Sequence, residues 1–252
     1  MLLAIDIGNT TIAFGLMQGQ RVTQVILLET NLPLSKLSTT IGKTLRRIKR
    51  KRFPLQGIMI CSVVPGVLKV VGTLVHQILK QKPMVIGKDV VVPIVNRYRN
   101  PKQVGQDRLV CAYAAMALYG TPAIIIDFGT AITFDAVSKR REYLGGIIVP
   151  GIRLSAESLF KKTALLPLVS IKSPSVLIGK DTQSSILSGL FYGYGAMTTG
   201  LIQRIQKEFK ERPVVVVTGG YTDLIKRFFG YQVNVIDQHL VFKGMQLLFP
   251  PQ

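Results

Sequence analysis

Three short segments place a carboxylate beside glycines, hydroxyls or a cation, which is the equipment of a phosphate-handling site. Asp6-Ile7-Gly8-Asn9-Thr10-Thr11 has the parts of a phosphate-binding hairpin. Gly8 lets backbone approach a ligand closely, and the turn N–H groups, with Asn9, Thr10 and Thr11, are donors for phosphate oxygens. An ionised Asp6 has no hydrogen to offer, so next to phosphate it calls for an intervening cation, Mg²⁺ before others. Asp127-Phe128-Gly129-Thr130-Ala131 repeats the arrangement. Each carboxylate ends an apolar strand, where it is costly without a partner. The plainer alternative is that each Asp merely closes a turn. The third segment, Asn100 to Arg108, sets Asp107 and Arg108 at the start of a charge-free helix. There Asp107 reads either as an ordinary helix-terminal acid or as the acceptor of a hydroxyl proton, with Arg108 neutralising a carboxylate or phosphate.

Other signals are weaker. Gly145-Gly146, Pro150-Gly151 and Thr218-Gly219-Gly220 are glycine turns after strands, and Gly179-Lys180-Asp181-Thr182 precedes a helix that Thr182 either caps or equips for ligand binding. Neither G-x-x-x-x-G-K-[ST] nor G-x-G-x-x-G occurs. His76 and His239 are isolated, which leaves a triad or a zinc site without support.

The elements that carry these segments follow from periodicity. The opening residues read as three strands broken at Gly8-Asn9 and at Gln18-Gly19-Gln20. A helix is expected from about Leu34 to Lys51, with Ser35 or Ser38 as its cap and Leu37, Ile41, Leu45 and Ile48 on one face. GIMICSVV and the run Val214 to Val217 read as buried strands, and Val67 to Gln81, the stretch to Tyr119, and segments from Leu154, Ser184 and Thr222 as helices. Strands alternating with helices indicate an α/β protein. One internal similarity adds to this. A shift of 121 residues lays Asp6 on Asp127 and Gly8 on Gly129, about half the chain, which suggests a fold duplicated around a cleft.

The chain of 252 residues is 48% hydrophobic, with 32 Lys+Arg against 13 Asp+Glu and a formal net charge of +19. Such apolar content excludes a disordered basic tail. No unbroken apolar run is long enough for a membrane span, and Asp6 interrupts the N-terminus before a secretory apolar region forms. Cys61 and Cys111 read as reduced core thiols of a cytoplasmic protein. Residues 1–118 carry 17 basic and 4 acidic groups, residues 119–252 carry 15 and 9. The densest run, Arg46 to Arg52, is read as a solvated helix end rather than a phosphate-backbone contact. No aromatic interleaves it, so nucleic acid is not the expected partner.

Taken in order, DIGNT at Asp6, CSVVP at Cys61, YRNP at Tyr98, GQDR at Gly105, DFGTAITF at Asp127, YLGGIIVPG at Tyr143, TALLP at Thr163, GKDT at Gly179 and TGG at Thr218 closely resemble the type III pantothenate kinases. These are members of the acetate and sugar kinase/actin-like ATPase superfamily. The resemblance implies duplicated actin-like (ribonuclease H-like) domains, here 1–118 and 119–252, flanking a nucleotide cleft. It implies phosphorylation of pantothenate by ATP, the first step of coenzyme A biosynthesis. Carried over by position, Asp6, Gly8, Asn9, Thr10, Thr11, Ala13 and Thr130 would hold ATP phosphates. Asp107 would be the general base, and Tyr98, Gly105, Gln106, Arg108 and Thr182 would bind pantothenate beside it. Asp127 would bind a monovalent cation, K⁺ or ammonium, while Mg²⁺ accompanies the nucleotide, with Asp6 as its contact. A homodimer is implied too. The alternatives are a non-catalytic regulator resembling Bvg accessory factor, or a basic nucleic-acid-binding protein.

Overall fold

The computed structural model describes residues 1–51, 54–230 and 232–250. The chain forms two compact units: Met1–Ile94, Arg99–Ala114 and His239–Gln252 in the first, Val95–Tyr98 and Ala115–Gln238 in the second. The chain thus crosses between them four times, rather than once at residue 118.

The first unit opens with β1 (Leu2–Ile7), β2 (Thr11–Gln18), β3 (Arg21–Glu29), α1 (Leu34–Arg50), β4 (Gly57–Ser62), α2 (Pro65–Leu79) and β5 (Met84–Val85). Its sheet has the order β3-β2-β1-β4-β5. β1 runs parallel to β4 and antiparallel to β2. Leu3, Ile5 and Ile7 of β1 meet Ile58 and Ile60 of β4 in a core closed by Leu37, Ile41, Leu45 and Ile48 of α1 and Val67, Val71 and Val75 of α2. The alternate residues Ala4, Asp6, Met59 and Cys61 therefore point to the opposite face. That face receives α7 (Leu240–Leu248), which returns from the C-terminal end. Phe242 of α7 packs on Gly15, where a Cβ would lie 2.9 Å from its Cδ1.

Two helix starts differ from expectation. α1 begins after Pro33 with no side-chain cap, so neither Ser35 nor Ser38 serves. α2 begins at Pro65, two residues early, because a proline suits the first helical position. The basic run forms the exposed end of α1 and Lys51, where Lys49 Nζ donates to Ile78 O at 2.8 Å; Arg52 lies outside the described residues.

The second unit holds β6 (Val95–Asn96), β7 (Ala123–Phe128), β8 (Ala131–Val137), β9 (Glu142–Pro150), α4 (Ile152–Lys162), α5 (Thr182–Gln206), β10 (Val214–Thr218), α6 (Thr222–Ile225) and β11 (Val235–Ile236). Its sheet order is β11-β10-β7-β8-β9-β6. Ile124, Ile126, Phe128, Ile132 and Phe134 pack there against Leu187, Leu190 and Phe191 of α5. The remaining helix, α3 (Gln106–Tyr119), belongs to the first unit up to Ala114 and to the second from Ala115. No helix among the described residues is long and apolar enough to cross a membrane.

The two sheets repeat one plan: β3-β2-β1-β4-β5 corresponds to β9-β8-β7-β10-β11. The α/β class and the internal duplication expected from the sequence are both present.

At the end of α3, the Tyr119 hydroxyl donates to Asp237 Oδ2 at 2.6 Å. Burial, then this bond and the carboxylate charge, push the phenol well above its ordinary value of 10.0. A pKa raised on folding contributes stability below the unfolded pKa and loses it as pH rises toward the folded one. Tyr119→Phe is expected to cost about 1 kcal/mol at pH 8, the net worth of one partly exposed hydrogen bond. That difference should shrink from about pH 10 upward. Urea unfolding midpoints measured from pH 8 to 11 check this; a constant difference would contradict it.

Candidate active site

In the first unit, the carboxylate of Asp6 stands at the C-terminal end of β1, aligned with Ala13 on β2 and Cys61 on β4. The following turn closes through Gly8 N–H to Thr11 O at 2.9 Å. Thr30 fastens it from behind: its N–H donates to Thr10 O at 2.9 Å and its hydroxyl to Gly8 O at 2.8 Å. Asn9 and Thr11 remain exposed at the tip. A rigid turn with exposed amide and hydroxyl donors suits an anion.

Asp107 reaches the same face from the first turn of α3. Its Oδ1 accepts the Arg108 N–H at 2.9 Å and folds back over Gly105, where any Cβ would collide with it and would lie 3.4 Å from Val63 Cγ1. Gln106 packs on Gly87, whose φ of 85° is a glycine conformation; a Cβ there would stand 2.8 Å from Gln106 Cδ. The Cys61 thiol reports the outcome. Burial pushes its pKa well above the ordinary 9.0, and the negative charges of Asp6 and Asp107 add to that. Both carboxylates thus lie near one buried thiol, with Asp6 and Cys61 at the C-terminal ends of parallel strands, where ligands of open α/β sheets bind.

In the second unit, Asp127 ends β7, aligned with Thr133 on β8 and Thr218 on β10. Two glycines bracket its carboxylate. A Cβ on Gly129 would lie 3.5 Å from Oδ1, and one on Gly219, which has φ 99°, would collide with that oxygen and with the Phe128 backbone. Thr130 O accepts the Gly151 N–H at 3.0 Å, the counterpart of Thr10 and Thr30.

This equivalence refines the 121-residue shift. Ile7 pairs with Ile12 across the first turn, but Phe128 pairs with Ile132 across the second. The second turn is one residue shorter, so Asp6 matches Asp127 at 121 while Phe14 matches Phe134 at 120. Thr10 therefore corresponds to Thr130, and Asn9 has no counterpart.

Tyr98 and Thr182 also belong to the second unit. Thr182 is the exposed first residue of α5 but not its cap: Asp181 accepts from Ser184 N–H at 2.8 Å, and Asp181 N–H donates to Ser184 Oγ at 3.2 Å. Among the described residues, no three His, Cys, Asp or Glu side chains cluster to cage a metal. Single carboxylates beside turns with exposed donors suit a divalent ion whose remaining coordination comes from a bound ligand. Sequence reasoning missed Thr30, whose role depends on the β2–β3 pairing, and the pair Asp135 and Tyr143, both buried and joined at 2.6 Å.

Several solved structures share this fold. A conserved putative Baf family transcriptional activator from Campylobacter jejuni matches with a TM-score of 0.59 at 20% identity, covering 98% of this chain and 96% of that one. Component A of the (R)-2-hydroxyglutaryl-CoA dehydratase from Acidaminococcus fermentans matches with 0.54 at 13% identity, over 98% and 95%. An inorganic polyphosphate/ATP-glucomannokinase from an Arthrobacter species, strain KM, matches with 0.51 at 15% identity, over 98% and 96%. At these identities the likeness shows the fold alone, a duplicated actin-like α/β architecture. Sequence goes further. The family model described as type III pantothenate kinase matches residues 2–204. A type III pantothenate kinase from Bacillus cytotoxicus is 34% identical over 253 residues, which cover 99% of this chain and 95% of that protein. With its ordered motifs on this fold, the chain belongs to the type III pantothenate kinase family.

Proposed function

We propose that this protein transfers the terminal phosphoryl group of ATP to the hydroxyl of pantothenate, giving 4'-phosphopantothenate for coenzyme A synthesis, with Asp107 as general base. The observation that carries the assignment to these residues is the convergence of Asp6 and Asp107 beside Cys61 on one face of the first sheet. Phosphoryl transfer asks for alignment and charge neutralisation more than for covalent chemistry. Asp107 takes the hydroxyl proton, and the Arg108 N–H on its Oδ1 fixes the direction in which it does so. The Arg108 guanidinium pairs with the pantothenate carboxylate, with Gly105 and Gln106 just before it in sequence; Tyr98 and Thr182 are assigned as acceptor-binding side chains of the second unit. The turn from Gly8 to Thr11, with Ala13 behind it, is assigned to nucleotide phosphates, and Thr130, the counterpart of Thr10 in the second unit, is assigned the same kind of ligand group. Asp6 would hold a divalent ion carried with ATP, which would supply charge neutralisation on the phosphates.

Asp127, bracketed by Gly129 and Gly219, is the seat of a monovalent cation, K⁺ or ammonium. The protein acts as a homodimer. Support for a second copy comes from the exposed apolar side chains Ile148, Leu165, Leu168, Leu177 and Ile178 of the second unit, of which Leu165 is 90% exposed. Large apolar side chains left in water in this number suit an interaction surface. A non-catalytic regulator of the same fold is not favoured, since Asp6, Asp107 and Asp127 all keep the family's residue types.

ADP release should depend on added pantothenate, and Asp107→Asn should lower kcat by about 10²–10⁴-fold while leaving the thermal midpoint unchanged. Near-normal turnover in that variant would remove the base assignment. Asp127→Ala should abolish activation by K⁺; a titration with undiminished K⁺ response would refute the cation seat. Sedimentation equilibrium should return about twice the chain mass of 27.8 kDa, and a monomer at micromolar concentration would refute the dimer.

A further inference from the structure

Within the second unit, the segment Val95–Tyr98 is fixed to β9 more firmly than its two-residue strand suggests. Val95 aligns with Glu142 and Asn96 with Tyr143. Arg97 N–H donates to Tyr143 O at 2.8 Å, and its guanidinium Nη2 reaches Glu142 Oε1 at 2.6 Å. Tyr98 N–H donates to Asn96 Oδ1 at 3.0 Å, which sets the backbone angle at which the ring leaves the strand. The ring edge rests on Gly145: a Cβ there would stand 3.3 Å from Cδ2 and 3.4 Å from Cε2. Gly145 has φ 121°, a conformation that side chains with a Cβ rarely adopt. It lies where the β8–β9 register shifts between Ala136 and Val137. Beneath it the Tyr143 hydroxyl donates to Asp135 Oδ1 at 2.6 Å, and Thr133 Oγ1 donates to Asp135 Oδ2 at 3.1 Å. Asp135 is 2% exposed and Tyr143 fully buried, so this support does not give way easily.

We propose that Gly145 and Asn96 are positioning residues that hold Tyr98 in the orientation in which it meets pantothenate. The inference rests on the reading of Tyr98 as an acceptor-binding side chain and assigns that reading its structural cause. Gly145 supplies a floor with no side chain, made accessible by the bulge. Asn96 supplies the hydrogen bond that stops the backbone from turning the ring away. A methyl group on Gly145 displaces the ring by a few tenths of an ångström, and loss of the Asn96 acceptor lets it swing. Both act on acceptor binding through Tyr98, not on the nucleotide.

The test is a steady-state comparison of wild type, Tyr98→Ala, Gly145→Ala, Asn96→Leu and Asn96→Asp, with pantothenate and ATP varied separately and thermal midpoints recorded. Gly145→Ala and Asn96→Leu should each raise KM for pantothenate by about tenfold or more, in line with the cost of misplacing a substrate contact. KM for ATP should stay within about twofold, and Asn96→Asp, which keeps the accepting oxygen, should restore near-normal values. If Tyr98→Ala raises the pantothenate KM but Gly145→Ala and Asn96→Leu do not, the positioning role is overturned and the Tyr98 reading stands. If Tyr98→Ala changes nothing, the Tyr98 reading falls and takes the inference with it. A parallel rise in both KM values, or an Asn96→Asp variant as impaired as Asn96→Leu, overturns the proposal in favour of general damage. Should Gly145→Ala fail to fold, the Asn96 pair decides by the same criteria.

Discussion

A carboxylate at the end of a buried strand has to be kept where water and ligand reach it, and both units are built around that requirement. β1 and β7 share one burial pattern: four buried residues, a half-buried Asp, then one more buried residue. The apolar neighbours fix the register of each strand, because a slip of one residue turns every side chain to the other face. In β1 such a slip would drive Asp6 among the aliphatic side chains of α1 and α2, at a cost of several kcal/mol for an unpaired buried charge. Hydrophobic burial thus decides where the charge stands, and the turn that follows decides what meets it.

The two turns have diverged on a common scaffold. The first keeps an extra residue, Asn9, and is braced by Thr30, whose hydroxyl occupies the Gly8 carbonyl. The second has lost a residue and is closed by Gly151, where a Cβ would collide with Thr130 O. Beside the first carboxylate the neighbouring strand presents Cys61; beside the second it presents Thr218 followed by Gly219. One site is rich in exposed donors and the other is a carboxylate walled by backbone.

What the sequence disclosed follows the range over which each signal acts. The face of α1 made by Leu37, Ile41, Leu45 and Ile48 is a local repeat, and it is buried as the spacing predicts. The carboxylate turns were legible because Asp, Gly and hydroxyl residues sit side by side. Roles that depend on pairing between distant segments were not. Thr30 reads as an ordinary loop residue until β3 is laid beside β2. Asp135 reads as a polar position in an alternating strand until the bulge at Val137 brings Tyr143 to it. Thr182 reads as the cap of α5 from its place in the sequence, and the backbone geometry gives that role to Asp181.

The return of α7 has a consequence for biosynthesis. Domains of a nascent chain fold as they leave the ribosome, N-terminal first, yet Phe242, which covers Gly15 in the second strand, is made long after that strand. The face of the first sheet that carries Asp6 and Cys61 therefore stays incompletely covered until α7 has emerged. The strands of the first sheet wait for a helix made much later, so a chain cut before α7 holds an unfinished first unit even though all its strands are present.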